Sequence, residues 1–376
     1  MRIAVDARTV YAAVRRGTGK NLVDLYRCVA RLRPEWAFCM FHRDSGRLVD
    51  PFASEPNIQA CRIEMAGDRW HLWQQVRLPL AARAWGASVL HAPANTAPRV
   101  ALVPLVVTIH DLIPLDIVED SDATRRWERE VGYGARGARR ILTPSEYTRR
   151  RIVEYYRVPE QRIVVNPWAP DSRCVRVDDR DVLDRTREHY GLRARQPYLL
   201  AFGASDPRKN TRRILDAWSG LPAEVRDRAA LLMVGLQRPI LDELRREMAI
   251  RVPGGGWSLM GFAEEADMPA LISGASMLCY PSLSEGFGLP VLDGFACDTP
   301  VITSTATSLP EVAGDAAVLV DPTSTEAIRQ AIFALVTQPR LANTLRENGR
   351  RRLEFYSWER CARTVAEVLR DAAGTL

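Results

Sequence analysis

The run Met277-Leu278-Cys279-Tyr280 leads through Pro281 to Leu283 into Ser284-Glu285-Gly286-Phe287-Gly288-Leu289-Pro290-Val291-Leu292-Asp293. An apolar stretch passes into a glycine turn and then into a helix start. The first four residues read as a buried strand of a parallel sheet, whose two covered faces call for continuous hydrophobicity. Pro290 suits a first helical turn, where its missing N–H costs nothing. Gly286 and Gly288 let backbone approach a ligand closely. The free N–H groups and positive end of a helix beginning at Leu289 would face an anion, and a diphosphate is the obvious candidate. Ser284 and Phe287 share that turn. Glu285 can accept hydrogen bonds from sugar hydroxyls, and Asp293, about one turn into the helix, from a ribose diol. An ordinary strand–turn–helix with a solvated acid is the competing reading.

Outward from this stretch, strand-like and helix-like segments alternate. Arg2–Asp6, Ser88–His91, Leu105–Ile109 and Arg140–Thr143 are short apolar runs in the first half. Tyr198–Phe202, Ala230–Val234, Ser258–Gly261, Met277–Tyr280, Val301–Thr303 and Ala317–Val320 repeat the pattern in the second. Leu22–Leu32 has helical spacing, and Ser357–Ala373 reads as an amphipathic helix. The alternation predicts α/β architecture: two doubly wound, Rossmann-like domains with parallel sheets covered on both faces. A charged stretch breaks the pattern between Asp171 and Gln196, which divides the chain into domains 1–175 and 176–356. Ligands of such domains bind at the carboxyl ends of the strands, where the remaining motifs lie.

Phe202-Gly203-Ala204-Ser205-Asp206-Pro207-Arg208-Lys209-Asn210 closes the first strand of the second half. Adjacent cations there can neutralise a departing diphosphate, placing charge where charge develops. Elsewhere an Arg-Lys pair would read as a solvated face. Arg16-Gly17-Thr18-Gly19-Lys20-Asn21 follows the first strand of the chain. It fails as a P-loop at Val14 and Asn21, and as a dinucleotide fingerprint at Leu22. What remains is a glycine loop opening a helix, able to touch phosphate or acceptor. Thr108-Ile109-His110-Asp111 ends another apolar run. His110 either bonds a sugar hydroxyl or acceptor from the crevice or is a structural histidine. Adjacent strand residues face opposite ways, which argues against a His110–Asp111 hydrolytic pair, and no Gly-x-Ser-x-Gly elbow accompanies it.

Composition narrows the classes. The chain carries 52 basic and 46 acidic residues, for a formal charge of +6. Only Lys20 and Lys209 of the basic residues are lysines. Either a GC-rich genome writes arginine by default, or a compact point charge is required at two loops. The arginines form no recognisable nucleic-acid module. No apolar run approaches the roughly 20 residues of a spanning helix. Asp6 and Arg8 interrupt the N-terminus too early for a signal peptide. Seven scattered cysteines and five widely spaced histidines suggest a reduced cytoplasmic protein with no metal site and no cofactor. The segment Arg69 to Leu80 mixes tryptophans with cations, and arginines cluster again at Arg136, Arg139 and Arg140 and at Arg149 to Arg151. Two readings stay open: contact with an anionic membrane at the inner face of the cytoplasmic membrane, or a core-packing helix with arginine on its wet side.

Taken together, these strings resemble the retaining glycosyltransferases of family 4, which have the GT-B fold. The likeness is most specific from Met260 to Pro322, where Gly261-Phe262, Ser276 to Pro290, Thr299-Pro300-Val301 and Leu309-Pro310-Glu311-Val312-Ala313-Gly314-Asp315-Ala316 arrive in the family's order. The Ser145-Glu146-Tyr147-Thr148 turn and the Tyr356-Ser357-Trp358 helix start also resemble it. The resemblance implies that Arg208 and Lys209 hold the diphosphate, with His110, Arg208, Lys209 and Glu285 as the catalytic set. Ser284, Gly286, Phe287, Gly288 and Leu289 would surround phosphate and sugar, and Asp293 would take the ribose. Phe262 and Ala263 would flank the base, Gly17, Thr18 and Gly19 would lie near the phosphates or acceptor, and helix 357–376 would pack back on the first domain. Two positions depart from the family's pattern: Asp293 stands for a usual Glu, and Ala204 for a usual Arg, whose charge Arg208 would supply.

The implied activity is metal-independent transfer of a hexose, with retention, from a nucleotide diphosphate sugar to a saccharide or polyprenyl-diphosphate-linked saccharide. The Pro207-Arg208-Lys209-Asn210 and His110-Asp111-Leu112 strings resemble mannosyltransferases of bacterial surface-polysaccharide assembly, which favours GDP-mannose. UDP-hexoses are the alternative donors, and a catalytically silent nucleotide-sugar-binding subunit the alternative role. A sugar-nucleotide epimerase would need an acid/base set not visible here. A PLP-dependent phosphorylase would need Lys20 or Lys209 in a context neither has.

Overall fold

The computed structural model describes residues 1–13, 15, 17–43, 49–65, 70–116 and 121–374. Expectations attached to Val14, Arg16 and Arg69 lie outside the described residues. The chain divides into two compact units, Met1–Trp168 with Tyr356–Leu376, and Ala169–Phe355. The chain first passes between units at Trp168/Ala169, seven residues before the 175/176 boundary read from the sequence.

Unit 1 holds β1 (Arg2–Asp6), β2 (Ala37–His42), β3 (Ile58–Arg62), β4 (Val89–Ala92), β5 (Leu105–Thr108), β6 (Arg140–Thr143) and β7 (Ile163–Val165). They pair in parallel in the order β3-β2-β1-β4-β5-β6-β7. Unit 2 holds β8 (Tyr198–Phe202), β9 (Ala230–Val234), β10 (Trp257–Leu259), β11 (Met277–Tyr280), β12 (Val301–Ser304) and β13 (Ala317–Val320). Their order is β10-β9-β8-β11-β12-β13, again all parallel. Both sheets are doubly wound, as the alternation predicts. The order reverses between β1 and β4 in unit 1, and between β8 and β11 in unit 2. Loops leaving two such neighbours part to opposite faces and open a crevice at the strand ends.

The central strands are apolar throughout because helices cover both faces: Leu199, Leu200, Leu231, Leu232, Leu278 and Ile302 are fully buried. The helix Trp358–Ala373 belongs to unit 1, where it packs on the helix Gly17–Leu32. Its inner face repeats at helical spacing through Cys361, Val365, Ala366, Leu369 and Ala372. Each fully buried Val or Leu there contributes roughly 1.5–3 kcal/mol. Polar ties join it to the chain at β6 and after β7: Arg139 donates to the Ala372 carbonyl at 2.9 Å, Asn166 reaches Cys361 Sγ at 3.1 Å, and Arg140 pairs with Asp371.

The start of the first helix also moves. The helix read as starting at Leu22 starts at Gly17, so Gly17, Thr18 and Gly19 form its first turn and not a loop before it. Glycine costs little there, where the N–H groups have no intrahelical partner. At Gly19 it is required, because a Cβ would lie 2.1 Å from the Thr9 carbonyl oxygen.

Candidate active site

The reversal between β8 and β11 brings the two strongest sequence strings together. The loop after β8 ends in a tight turn, Pro207–Lys209, capped by Asp206, whose carboxylate accepts the Arg208 N–H at 3.0 Å. Asn210 follows with φ of 59°, a conformation asparagine tolerates better than most residues. Its side-chain amide donates to the carbonyls of Pro281 (2.9 Å) and Pro322 (2.6 Å). The Leu283 N–H donates to the Arg208 carbonyl at 2.8 Å. These bonds stitch the cation turn to the segment leaving β11.

Three side chains then converge. Lys209 Nζ lies 2.7 Å from Glu285 Oε1 and 2.6 Å from the Tyr280 hydroxyl. The Tyr280 hydroxyl donates to the same Glu285 oxygen at 2.6 Å. Arg208 Nη1 stands 3.7 Å from Glu285 Oε2 and donates to the Ser284 carbonyl at 3.3 Å, while its Nε holds Asp206 at 2.7 Å. Burial alone would penalise the Glu285 carboxylate. The Lys209 charge, the hydrogen bonds from Lys209 and Tyr280, and the Arg208 charge outweigh it and hold the group below the usual carboxylate range. Burial likewise opposes the Lys209 ammonium, but Tyr280 and Glu285 raise its pKa, so it stays charged. Burial, reinforced by Glu285, pushes Tyr280 up to about 12 and keeps it a neutral donor.

The glycine turn is braced from β12. The Glu285 N–H donates to Thr307 Oγ1 at 3.1 Å, and Ser308 Oγ lies 2.8 Å from the carbonyls of both Glu285 and Phe287. Gly288 has φ of 124°, and a Cβ there would sit 2.6 Å from Leu309 Cδ2. The helix Leu289–Ala296 starts directly after it, with Pro290 in its first turn. Ser284 Oγ is buried without a protein partner.

Asp293 lies on that helix. Its Oδ1 accepts the Asp171 N–H at 3.0 Å, and the Cys174 thiol also bonds it. Burial dominates and pushes its pKa up to about 7. The position expected to take a ribose is thus partly engaged by the segment entering unit 2. Phe262 and Ala263 follow β10; the Phe262 ring is 73 % exposed, an apolar plate free to stack on a base. The strand ends are tied together beneath it: Gly203 N–H donates to the Val234 carbonyl and Gly235 N–H to the Gly261 carbonyl, both at 2.8 Å.

Unit 1 holds the other expected residues. Gly17 is exposed and open at its Cβ position, Thr18 is half-buried and Gly19 buried. His110 follows β5. Its Nε2 lies 2.6 Å from the Pro93 carbonyl, its backbone N–H donates to Asn95 at 2.7 Å, and its ring meets Trp168 edge-on at 4.8 Å. A carbonyl only accepts, so Nε2 carries the proton and Nδ1, buried without a partner, is an acceptor. Burial lowers the pKa of His110 to about 4, so the ring is neutral. The Asp111 carboxylate accepts the Ile113 N–H at 3.3 Å.

Tyr280, Asn210, Thr307 and Ser308 complete the unit 2 cluster, and the sequence reading assigned none of them a role there. Tyr280 had one available signal, a hydroxyl at the end of an otherwise apolar strand. Among the described residues, no group of three or more His, Cys, Asp or Glu side chains is placed to hold a metal ion.

Two parallel doubly wound units, with paired cations opposite a glycine turn and its acid, define a glycosyltransferase of the GT-B fold. Residues 183–352 match the family described as glycosyl transferases group 1, and residues 22–171 the family described as glycosyltransferase family 4. The chain is 32% identical to O-antigen chain mannosyltransferase B of Escherichia coli over 78% of its own length and 77% of the relative's. It is 28% identical to an MMP alpha-(1->4)-mannosyltransferase of Mycolicibacterium hassiacum, over 72% and 66% of the two chains. Its backbone is similar to that of sucrose-phosphate synthase from Thermosynechococcus elongatus, with a TM-score of 0.78 at 19% identity, covering 100% of both chains. WaaG, a glycosyltransferase involved in lipopolysaccharide biosynthesis, gives 0.75 at 15%, covering 98% and 99%. The chain belongs to the family 4 glycosyltransferases.

Proposed function

We propose that this enzyme moves a mannosyl group from GDP-mannose to a saccharide, free or carried on a polyprenyl diphosphate, with retention and without a metal ion, at the inner face of the cytoplasmic membrane. The observation that carries the donor site is the convergence of Lys209, Arg208 and Glu285 beside the Gly286–Gly288 turn. The mannosyl assignment draws on the relatives from Escherichia coli and Mycolicibacterium hassiacum, both mannosyltransferases.

In this reading the donor diphosphate takes over Lys209 and Arg208 and meets the N–H groups of the turn and helix start. Glu285, released from Lys209, accepts hydroxyls of the transferred sugar. Ser284 Oγ, buried and unpartnered, gains a partner. The C1–O bond breaks, and its electron pair passes to the departing phosphate, which the two cations stabilise. The acceptor oxygen bonds C1 on the same face, and its proton passes to that phosphate. Nδ1 of His110 accepts a hydroxyl hydrogen.

The test is a thermal-shift series with GDP, UDP, ADP, GDP-mannose and UDP-hexoses, with and without EDTA, followed by product linkage analysis. Binding raises apparent stability by mass action. A guanine-specific shift that survives EDTA and is lost in Lys209→Ala supports the reading. A uridine-specific shift would replace the donor. Binding without turnover on any acceptor would make the chain a silent subunit.

A further inference from the structure

We propose that Tyr280 is a positioning residue for the transfer reaction: its hydroxyl holds one oxygen of Glu285 so that the other faces the sugar, and it keeps that carboxylate in place when the donor draws Lys209 away. The proposal rests on the donor-site reading above and adds a residue to it.

The last position of β11 is fixed by the strands on either side, β8 and β12. Phe202, which ends β8, meets the Tyr280 ring edge-on at 6.4 Å. Thr303, its register partner in β12, donates its hydroxyl to the Tyr280 carbonyl at 3.0 Å. A group carried on a paired strand is held more precisely than one on a loop. Met277, Leu278 and Cys279 ahead of it are apolar and fully buried, and Tyr280 is 3 % exposed. An aromatic ring alone would complete such a strand. The hydroxyl is the exception, and burying it is costly unless it is paired.

Its partners fix the proton positions. The Lys209 ammonium only donates, so the hydroxyl accepts from Nζ at 2.6 Å. The Glu285 carboxylate only accepts, so the hydroxyl proton lies in the 2.6 Å contact with Oε1. Lys209 Nζ meets that same oxygen at 2.7 Å. Both donors therefore fall on Oε1. Oε2 stands 3.7 Å from Arg208 Nη1, too far for a hydrogen bond, and can accept from a sugar hydroxyl. Tyr280 and Glu285 take two of the three N–H groups on Nζ, and the third can serve a phosphate.

When a diphosphate takes Lys209, Oε1 loses one of its two donors and the Tyr280 proton remains. That bond keeps the carboxylate from turning after the ammonium and keeps it ionised against its burial. The charged groups facing Glu285 are Lys209 and Arg208, with Asp206 behind Arg208. Thr307 and Ser308, which brace its backbone, carry no charge. Burial raises the pKa of Glu285, and Lys209, Tyr280 and Arg208 together bring it below the usual range. Burial pushes Tyr280 itself up to about 12, so its proton stays on the oxygen.

Tyr280→Phe removes the oxygen and keeps the ring. GDP should still raise Tm as in wild type, because Lys209, Arg208 and the N–H groups of the turn remain. The kcat for transfer from GDP-mannose should fall about ten- to a hundredfold, as for a lost hydrogen bond to a charged group, with donor KM changed less than about threefold. The acid limb of kcat/KM should move to higher pH, because Glu285 without the Tyr280 proton is easier to protonate. On a Glu285→Gln background the same change should cost almost nothing further, whereas a tyrosine that only fills space would subtract equally from both. Thr303→Val, which loosens the strand end and leaves the hydroxyl in place, should keep the acid limb where wild type has it. Folded Tyr280→Phe that turns over like wild type overturns the proposal. So does a loss that adds in full to that of Glu285→Gln, or a Thr303→Val limb that moves as far as that of Tyr280→Phe. Wild-type protein that binds no nucleotide overturns the donor reading and this proposal with it. A uridine-specific shift replaces the donor alone, and the same cycle is then run with the UDP-hexose.

Discussion

Lys209 and Glu285, 76 residues apart in the chain, share an ion pair of 2.7 Å that Tyr280 closes from the strand below. The pair holds a charged ammonium in place before any donor arrives. Lys209→Ala should therefore cut kcat/KM by about two to three orders of magnitude, as expected on removing a preorganised charge from a developing anion. Lys209→Arg should recover only part, because a planar fork replaces a point charge. Steady-state kinetics of both variants, with circular dichroism to confirm the fold, checks this.

Glu285→Ala should affect stability as well as turnover. It strands a largely buried ammonium, and breaking such a pair costs about 3–5 kcal/mol. Because the folded protein holds Glu285 below its ordinary pKa, the contribution is present above the unfolded value and lost as pH falls through the folded one. Urea titrations of wild type and Glu285→Gln should converge toward acid pH.

Asp293 acts with the opposite sign. Its pKa, pushed up to about 7 by burial, lies above the unfolded value. Between the two values the folded state binds more protons, so stability falls as pH rises, and the loss is complete above about 7. Asp293→Asn, which keeps the acceptor for the Asp171 N–H, should raise Tm at pH 8 and change it little at pH 4. Melting curves at the two pH values decide it.

Glycine requirements should differ sharply. Gly288→Ala meets both positive φ and a 2.6 Å contact with Leu309, and Gly19→Ala a 2.1 Å contact with Thr9. Each should destabilise by about 1–3 kcal/mol or more. Gly17→Ala, with open space around it, should be tolerated. Chemical denaturation of the three variants gives the ranking.

His110 should not titrate across the physiological range. With its pKa lowered to about 4, its ring proton shifts in NMR spectra should stay flat from pH 5.5 to 8. An inflection near 6.5 would return it to the ordinary range.

The two halves differ in how much of them the sequence discloses. All six strands of unit 2 stand out as apolar runs: the four inner ones are almost wholly buried, and the edge strands β10 and β13 stay apolar although Leu319 is exposed. Unit 1 hides three. β3 is an edge strand exposing Gln59 and Ala60, β7 is three residues long with only Ile163 buried, and Cys39 and Met40 dilute the β signal of β2. In the site, Arg208, Lys209 and Glu285 were legible because strand ends in a doubly wound sheet face the ligand. Tyr280, Thr307 and Ser308 were not, because their contacts depend on which strands become neighbours. The Asp293 bond to the Asp171 N–H had no signal at all, since a backbone donor arriving from 122 residues away leaves no trace in residue type.

The return of the helix Trp358–Ala373 to unit 1 sets the order of events at the ribosome. Unit 2 is a continuous span and can complete its core as soon as it has emerged. Unit 1, although made first, has an unfilled face against the helix Gly17–Leu32 until the last helix is released. Translating the intervening 200 or so residues takes roughly 10–40 s. During that interval the face of the helix Gly17–Leu32 that Trp358–Ala373 covers is presented to solvent and to chaperones.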